Sequence, residues 1–217
     1  MNSPIDRRWM LRLLALGSVG AMAGCKLQRA PLAQRVFRLR TPAATDLRGR
    51  HGTKGVLMVR PFQVAASMDS RSFLIRRGES EFAVDPYNGF LLSPGPMLTE
   101  VIADWVRSLG AYQIVSTGGS QVVPTHALEG ELSEMWGDYR VVSSPKAVLT
   151  VTVRLLHPLT GVAPQVQWEQ TERREVPIPK AGPDALVAGW NQALEQICQS
   201  MEGRWLRDIG DVTGSKA

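Results

Sequence analysis

The sequence predicts an α+β fold, in which a mixed, largely antiparallel sheet carries two helices packed on one face. Three consecutive segments after residue 126 alternate apolar and polar side chains, which is typical of antiparallel strands with one solvated face. Two other segments, near residues 94–109 and 183–205, repeat apolar side chains at helical spacing. Segregated strands and helices of this kind predict helices layered on a single sheet.

The expected strands follow from alternation and from turn residues between them. Pro61 favours an edge position or a bulge, because proline cannot donate to a strand ladder. Residues 78–80 form a polar break that predicts a hairpin. In the last strand, Val166 and Trp168 are expected to point inward. The predicted strands are, in chain order, residues 35–40, 55–64, 72–77, 81–85, 112–116, 126–135, 147–155 and 165–176.

Both helices have recognisable starts. Ser93 is a candidate N-cap before Pro94, and Gly110 stands where a helix-ending glycine belongs. The second helix is expected to begin at Pro183, and Cys198 within it is expected to be a buried, unpaired hydrophobe. The predicted core-facing side chains are Leu98, Val101, Ile102, Trp105 and Leu109 in the first helix, and Leu186, Trp190, Ala193, Leu194, Ile197, Met201 and Trp205 in the second.

The N-terminus has a basic start, a short apolar stretch and the small residues Ala23 and Gly24 before Cys25. This pattern resembles a bacterial lipoprotein signal at residues 1–24, in which the cysteine thiol carries a diacylglycerol. The apolar stretch is shorter than the about 20 residues that span a bilayer, so lipid would be the anchor. Lys26 stands where an Asp typically retains such proteins at the inner membrane, which favours the periplasmic face of the outer membrane. An ordinary secretory signal or a short buried helix is the alternative, and the general secretory and twin-arginine routes both stay open.

The remaining chain divides into a membrane tether at residues 25–34, a single domain at residues 35–208 and a flexible tail at residues 209–217. The net charge of the whole chain is +5. No dense basic run with interleaved aromatics occurs, so nucleic acid is not an expected partner.

Candidate catalytic and metal-binding patterns are weak. His51, His126 and His157 are far apart and lack metal-ligand spacing, although spatial convergence stays open. No nucleophile-elbow motif is present. Glu129 and Glu131 share one strand face, where a charged solvent surface is a simpler interpretation than acid–base chemistry. We therefore expect a non-enzymatic protein without a cofactor or a metal.

One apolar segment before the first helix is a candidate contact site for a partner or a lipid. Tyr87, Phe90, Leu91 and Leu92 lie where the pattern predicts a loop. Large apolar side chains in a loop either bind something or are buried locally. The sequence leaves both interpretations open.

This layout resembles the ABC-type transport auxiliary lipoprotein family, which includes the paraquat-inducible C type. The resemblance spans residues 25–207. One departure is Phe90-Leu91-Leu92, where relatives often have an aromatic-rich pair. The residues that carry the resemblance are Cys25, the Val59-Arg60-Pro61 centre of one strand, the strand at 72–77, the segment from Tyr87 to Pro96, residues 101–106 of the first helix and Trp190-Asn191-Gln192-Ala193-Leu194.

The resemblance implies a non-catalytic subunit that works with MCE-type and permease/ATPase transporter subunits. Such a system would move lipids or other hydrophobic solutes between membranes, and its ATPase would lie elsewhere. Homo-oligomerisation stays open. The alternatives are a periplasmic assembly or solute-binding lipoprotein of the lipopolysaccharide-assembly type, and a secreted hydrolase.

Overall fold

One 13-residue strand organises the sheet in the computed structural model, which describes residues 34–45, 54–118, 121–157 and 163–214. Within these residues the chain forms two helices and a nine-stranded mixed sheet. The predicted α+β fold is confirmed. The elements are β1 (Arg35–Phe37), β2 (Lys54–Val59), β3 (Gln63–Val64), β4 (Ser72–Arg76), β5 (Phe82–Phe90), α1 (Pro94–Leu109), β6 (Tyr112–Ser116), β7 (His126–Asp138), β8 (Lys146–His157), β9 (Gln165–Pro177) and α2 (Pro183–Gly214).

The two edges of β7 are used differently. One edge pairs along its whole length with β8, which pairs in turn with β9, and both pairings are antiparallel. The other edge is shared by three short strands, β2, β3 and β4, which all run parallel to β7. β2 leads outward to β6, whereas β4 leads through β5 to β1. The sheet therefore branches on this side of β7.

The strand predicted at 55–64 is two strands. It divides at Arg60-Pro61-Phe62 into β2 and β3, which pair with successive parts of β7. A proline supplies no backbone N–H, so the ladder cannot continue through this position unchanged. Phe62 leaves the strand direction and is buried in the core instead.

Both helices pack on the same face of the sheet around one hydrophobic core. All side chains predicted for the two helix stripes are at most 1% exposed. Gly110 ends α1 in the left-handed conformation, with φ of 67°. Ser93 occupies the N-cap position, but its side chain makes no capping hydrogen bond. α2 continues to Gly214, beyond residue 209 where the flexible tail was expected, and no proline interrupts this part of the chain.

The inward orientation predicted for Val166 is wrong, although Trp168 is buried as expected. Val166 is 54% exposed, and Trp168 is 3% exposed. Leu155 pairs with Trp168, whereas the next residue, Leu156, pairs with Val166. The extra residue in β9 is a bulge, which reverses the face that the strand start presents.

Candidate partner-binding surface

A four-residue bulge shapes the middle of β5. Ser72 pairs with Gly89 and Leu74 pairs with Val84, so residues 85–88 lie opposite Phe73 alone. Such an enlarged bulge leaves backbone groups without ladder partners, and nearby side chains must satisfy them.

Asp85 holds the bulge in shape. Its Oδ1 accepts hydrogen bonds from the Tyr87 N–H at 2.8 Å and from the Asn88 N–H at 3.1 Å. Its Oδ2 accepts a bond of 2.9 Å from Asn88 Nδ2. This is the local turn geometry that Asp side chains favour, and the intervening Pro86 loses no ladder bond there.

Tyr87 projects from the bulge and lines a cleft of about 280 Å³, here called the Tyr87 cleft. The side chain is 46% exposed. The opposite walls include Tyr139, which follows β7, and Gly182, which precedes α2. Tyr139 Oη accepts a 3.1 Å hydrogen bond from the Gly182 N–H. Burial raises the pKa of Tyr139. The lining includes Val84, Tyr87, Tyr139, Pro183, Leu186 and Arg77.

The other three residues of the predicted contact segment separate into buried and exposed positions. Phe90 is 3% exposed, and its ring centroid lies 4.7 Å from that of Phe73 and 5.3 Å from that of Trp190. Leu92 is half-buried against the core, whereas Leu91 is 50% exposed. The core interpretation therefore applies to Phe90 and Leu92, and Tyr87 and Leu91 are the two members available at the surface.

The prediction of a loop at residues 87–92 is wrong for residues 87–90, which belong to β5. Residues 88–90 pair with β1, which was expected to be longer, and they form the end of β5. Arg71 fixes the segment further, because its guanidinium donates to the Phe90 and Leu91 carbonyl oxygens at 3.2 and 2.5 Å. Leu91 is thus presented from a firmly held backbone.

The first strand is tied to the second helix next to the Tyr87 cleft. Arg35 donates two hydrogen bonds to the Asp184 carboxylate, at 2.7 and 3.1 Å. Their pairing raises the pKa of Arg35 and lowers that of Asp184. Both side chains are exposed, so solvent screens the pair and its main effect is geometric.

The carboxylates of β7 belong to a charged sheet face. Glu129 pairs with Arg60, and Arg154 pairs with Glu169 across β8 and β9. Alternating charges across neighbouring strands explain this face without any acid–base role. In the part of the chain that the structure describes, no group of three or more His, Cys, Asp or Glu side chains is arranged to hold a metal ion.

Two of the three histidines meet in the structure. The rings of His126 and His157 stack with centroids 4.2 Å apart, and Tyr112 meets His126 edge-on at 5.3 Å. The register of the β7–β8 hairpin brings the two histidines together, since Ala127 pairs with Leu156. Knowledge of that register would have found the pair, which sequence spacing alone does not show. His51 lies outside the described residues.

Of the two cysteines in the chain, the structure describes Cys198. Cys198 is fully buried, and burial raises the pKa of its thiol, which opposes a nucleophilic role. Cys25, the predicted lipidation site, lies outside the described residues. Among the helices that are described, none combines the length and the apolar character needed to cross a membrane.

Comparisons with known proteins identify the family. A crystal structure of a Xanthomonas campestris protein of the DUF330 family has a TM-score of 0.69 at 19% identity, and the alignment covers 84% of this chain and all of that one. A hypothetical Chlamydia trachomatis protein has a TM-score of 0.50 at 10% identity, covering 70% of this chain and 95% of that one. At these identities the likeness shows the fold alone. A search of curated protein sequences found no match. The model of the ABC-type transport auxiliary lipoprotein component family matches residues 37–202, well over half of the chain, and the protein therefore belongs to that family.

Proposed function

We propose that the protein is a lipid-anchored, non-catalytic subunit of an ABC/MCE-type transport system, at the periplasmic face of the outer membrane. The system would move lipids or other hydrophobic solutes between membranes. Family membership supports association with ABC-type transport and with a membrane. The observation that carries the proposal is that Val84, Tyr87 and Leu91 of this segment are exposed apolar side chains, of which Val84 and Tyr87 line the Tyr87 cleft.

These exposed side chains suit a contact rather than a structural role. Val84 is 59% exposed, and Tyr87 and Leu91 are each about half exposed. The bulge of β5 and the Arg71 hydrogen bonds hold the backbone in place, so binding would order few additional groups. Apolar and aromatic side chains on a rigid backbone are typical of contact residues that contribute strongly to binding. We assign Tyr87 and Leu91 as contacts for the partner conduit or the transported lipid.

Aspartate substitutions separate contact from core positions. Leu91→Asp and Tyr87→Asp place a charge at the proposed contact and are expected to preserve thermal stability, because both positions are solvated. A charge in a desolvated contact is unfavourable, so both variants should lose transporter pull-down and weaken the outer-membrane barrier. Phe90→Asp buries a charge in the core and should lower the melting temperature. Val166→Asp, at 54% exposure on β9, is the matched surface control and should behave like the wild type.

The measurements are thermal unfolding, co-purification with MCE and permease subunits, and sensitivity of cells to detergent. Stable Leu91→Asp and Tyr87→Asp proteins with full pull-down and an intact barrier would rule out the contact. Recovery of an outer-membrane β-barrel, instead of transporter subunits, would favour the alternative role as an assembly lipoprotein.

The anchor has its own test. Cys25→Ser removes the thiol that would carry the diacylglycerol, so the variant should leave the membrane fraction or accumulate as a precursor. Membrane fractionation with a wild-type control measures this directly. Mature, membrane-bound Cys25→Ser protein at wild-type levels would refute the lipid anchor.

A further inference from the structure

β9 is a long edge strand of the sheet. It spans Gln165–Pro177 and pairs with β8 along one side, and none of the other strands that the structure describes pairs with it. An unpaired strand edge presents a row of backbone N–H and C=O groups that a further strand can join. The open edge of β9 is therefore a candidate site for pairing with another chain.

A hydrogen bond just after β9 shows which of its residues face the open edge. The Ile178 N–H donates to the Pro145 carbonyl oxygen at 3.0 Å, so the backbone of Ile178 faces β8. Backbone direction alternates along an antiparallel strand, and the register with β8 is uninterrupted over residues 168–177. The residues whose backbone faces outward are therefore Glu169, Thr171, Arg173, Glu175 and Pro177.

Two features of β9 agree with this assignment. Pro177 has no N–H, so its outward position costs the ladder to β8 no hydrogen bond. The Arg173 carbonyl oxygen accepts a 3.1 Å hydrogen bond from the Arg174 guanidinium, as expected of a carbonyl that the ladder leaves available. The side chains of the four outward residues before Pro177 are exposed on the charged sheet face. A second strand at this edge would lie directly beside these four side chains.

The outward residues are complementary to their own copy in one antiparallel register. With Thr171 opposite the Thr171 of a second copy, Glu169 of each chain lies opposite Arg173 of the other. Opposite charges and paired threonines directly across neighbouring strands stabilise a sheet. Because such a pairing has two-fold symmetry, it gives two Glu–Arg pairs around one Thr–Thr pair.

Neighbouring registers lose this complementarity. Side chains that meet across paired strands share a face, so outward residues meet only outward residues. Moving the centre of the pairing by one residue leaves Glu169 opposite Thr171 in one direction and opposite Glu175 in the other. Moving it by two residues places Glu169 or Arg173 opposite itself, and like charges directly opposite are destabilising. Moving it by three residues toward the C-terminus places Arg174 opposite itself.

We propose that the open edge of β9 pairs antiparallel with the same edge of a second copy of this chain, centred on Thr171. The two sheets would then be continuous, with the helices of both copies on the same face. A row of like charges would repel a second copy, whereas the mixed signs along β9 attract it in this register. Interfaces as small as one short ladder are weak and reversible, so monomer and dimer would exchange. This inference is independent of the anchor at Cys25 and of the contacts assigned to Tyr87 and Leu91.

Disulfide crosslinking of the purified full chain, under mild oxidation with copper phenanthroline, tests the register. Thr171→Cys places two thiols directly opposite each other, with Cα atoms about 5.5 Å apart in a hydrogen-bonded pair, which a disulfide can bridge. Val166→Cys, on the same strand and 54% exposed, is the matched control, because its two copies would lie more than about 30 Å apart. The wild type reports any crosslinking through Cys25, and Cys198 is fully buried.

Reversal of the two charges tests the contact between copies. Glu169→Arg brings two cations opposite each other in a homodimer, and Arg173→Glu brings two anions opposite each other, so each variant alone should self-associate less. A mixture of the two variants restores opposite charges at both positions. Each variant also loses an ion pair within its own chain, to Arg154 or to Glu134, so its thermal unfolding is compared with that of the wild type. Mixing cannot restore those internal pairs, so recovery on mixing reports the contact between copies.

The expected result is about tenfold more crosslinked dimer for Thr171→Cys than for Val166→Cys or the wild type. Differently tagged copies of each charge variant should co-purify about tenfold less than wild-type copies, and the mixture should recover most of the wild-type yield. Equal crosslinking at positions 171 and 166, or a mixture that co-purifies no better than either variant alone, would overturn the inference. Thr171→Cys leaves the charges unchanged, so its crosslinking is decisive even where a charge variant unfolds.

Discussion

Replacing Trp190 by Phe tests how α2 is fixed to the sheet. Trp190 is fully buried, and its indole N–H donates to the Val148 carbonyl oxygen at 3.1 Å and to the Trp136 carbonyl oxygen at 3.3 Å. Phenylalanine keeps an aromatic ring beside Phe73, whose centroid lies 5.0 Å away, but it removes this donor. A buried hydrogen bond contributes about 1 kcal/mol net to stability, and the smaller ring adds a cavity penalty.

Trp105 in α1 provides a matched comparison. It is also fully buried and packs against Trp205, with ring centroids 5.6 Å apart. Within the described residues its indole N–H has no hydrogen-bond acceptor. Trp105→Phe therefore makes the same change of shape without losing a hydrogen bond, and Trp190→Phe should be the less stable variant by about 1 kcal/mol. Either tryptophan changed to Ala should lose about 3–5 kcal/mol.

Urea unfolding followed by far-ultraviolet circular dichroism measures these differences without depending on tryptophan fluorescence. The free energy of unfolding is obtained from the midpoint and slope of each transition. Equal stabilities of the two Phe variants would refute the role assigned to the Trp190 hydrogen bonds. Wild-type stability of both Ala variants would refute the packing of the helices through these residues.

Three further predictions concern backbone contact, pH and thiol burial. Gly89→Ala should destabilise the domain by about 1–3 kcal/mol, because its Cβ would lie 2.6 Å from the Arg71 carbonyl oxygen; unchanged chemical denaturation would contradict this close approach. The hydrogen bonds from Arg140 lower the pKa of Asp138, so the pair contributes stability above the usual aspartate value of 3.8 and loses it as pH falls through the lowered pKa. The difference in free energy of unfolding between the wild type and Asp138→Asn should therefore be largest at neutral pH and shrink at more acidic pH. A difference that stays constant down to pH values well below 3.8 would contradict the stabilising role of the Asp138–Arg140 pair. Cys198 should resist maleimide in the native protein at alkaline pH and react fully in urea, as mass spectrometry will report; rapid native labelling would show that the site is open.

Much of the core was predictable, because helices carry their information locally. The spacing of Leu98, Val101 and Trp105 defines one face of α1 whatever the helix packs against. Gly110 ends α1 in the left-handed conformation that glycine adopts most readily. The long strands β7 and β8 were also expected from alternation, though the structure extends each of them. In these elements the local pattern and the tertiary contacts agree.

The candidate site was predictable only as a segment. Tyr87 and Phe90 share one apolar stretch, yet the first is 46% exposed and the second is 3% exposed. The difference comes from the bulge that Asp85 stabilises and from the pairing of residues 88–90 with β1, more than 50 positions earlier in the chain. A strand has a side-chain period of two, so one extra residue reverses which face each side chain meets. That reversal also exposes Val166.

The sequence by itself determined the fold class, the two helices with their buried faces and most strand positions, because each depends on residues close together in the chain. Tertiary structure alone decided which strands share the second edge of β7, which apolar side chains before α1 reach the surface, and that His126 meets His157. These outcomes depend on strand register and on pairing between distant segments. Local periodicity does not encode either of them, since the same alternating pattern is compatible with several partners and registers until the sheet is assembled.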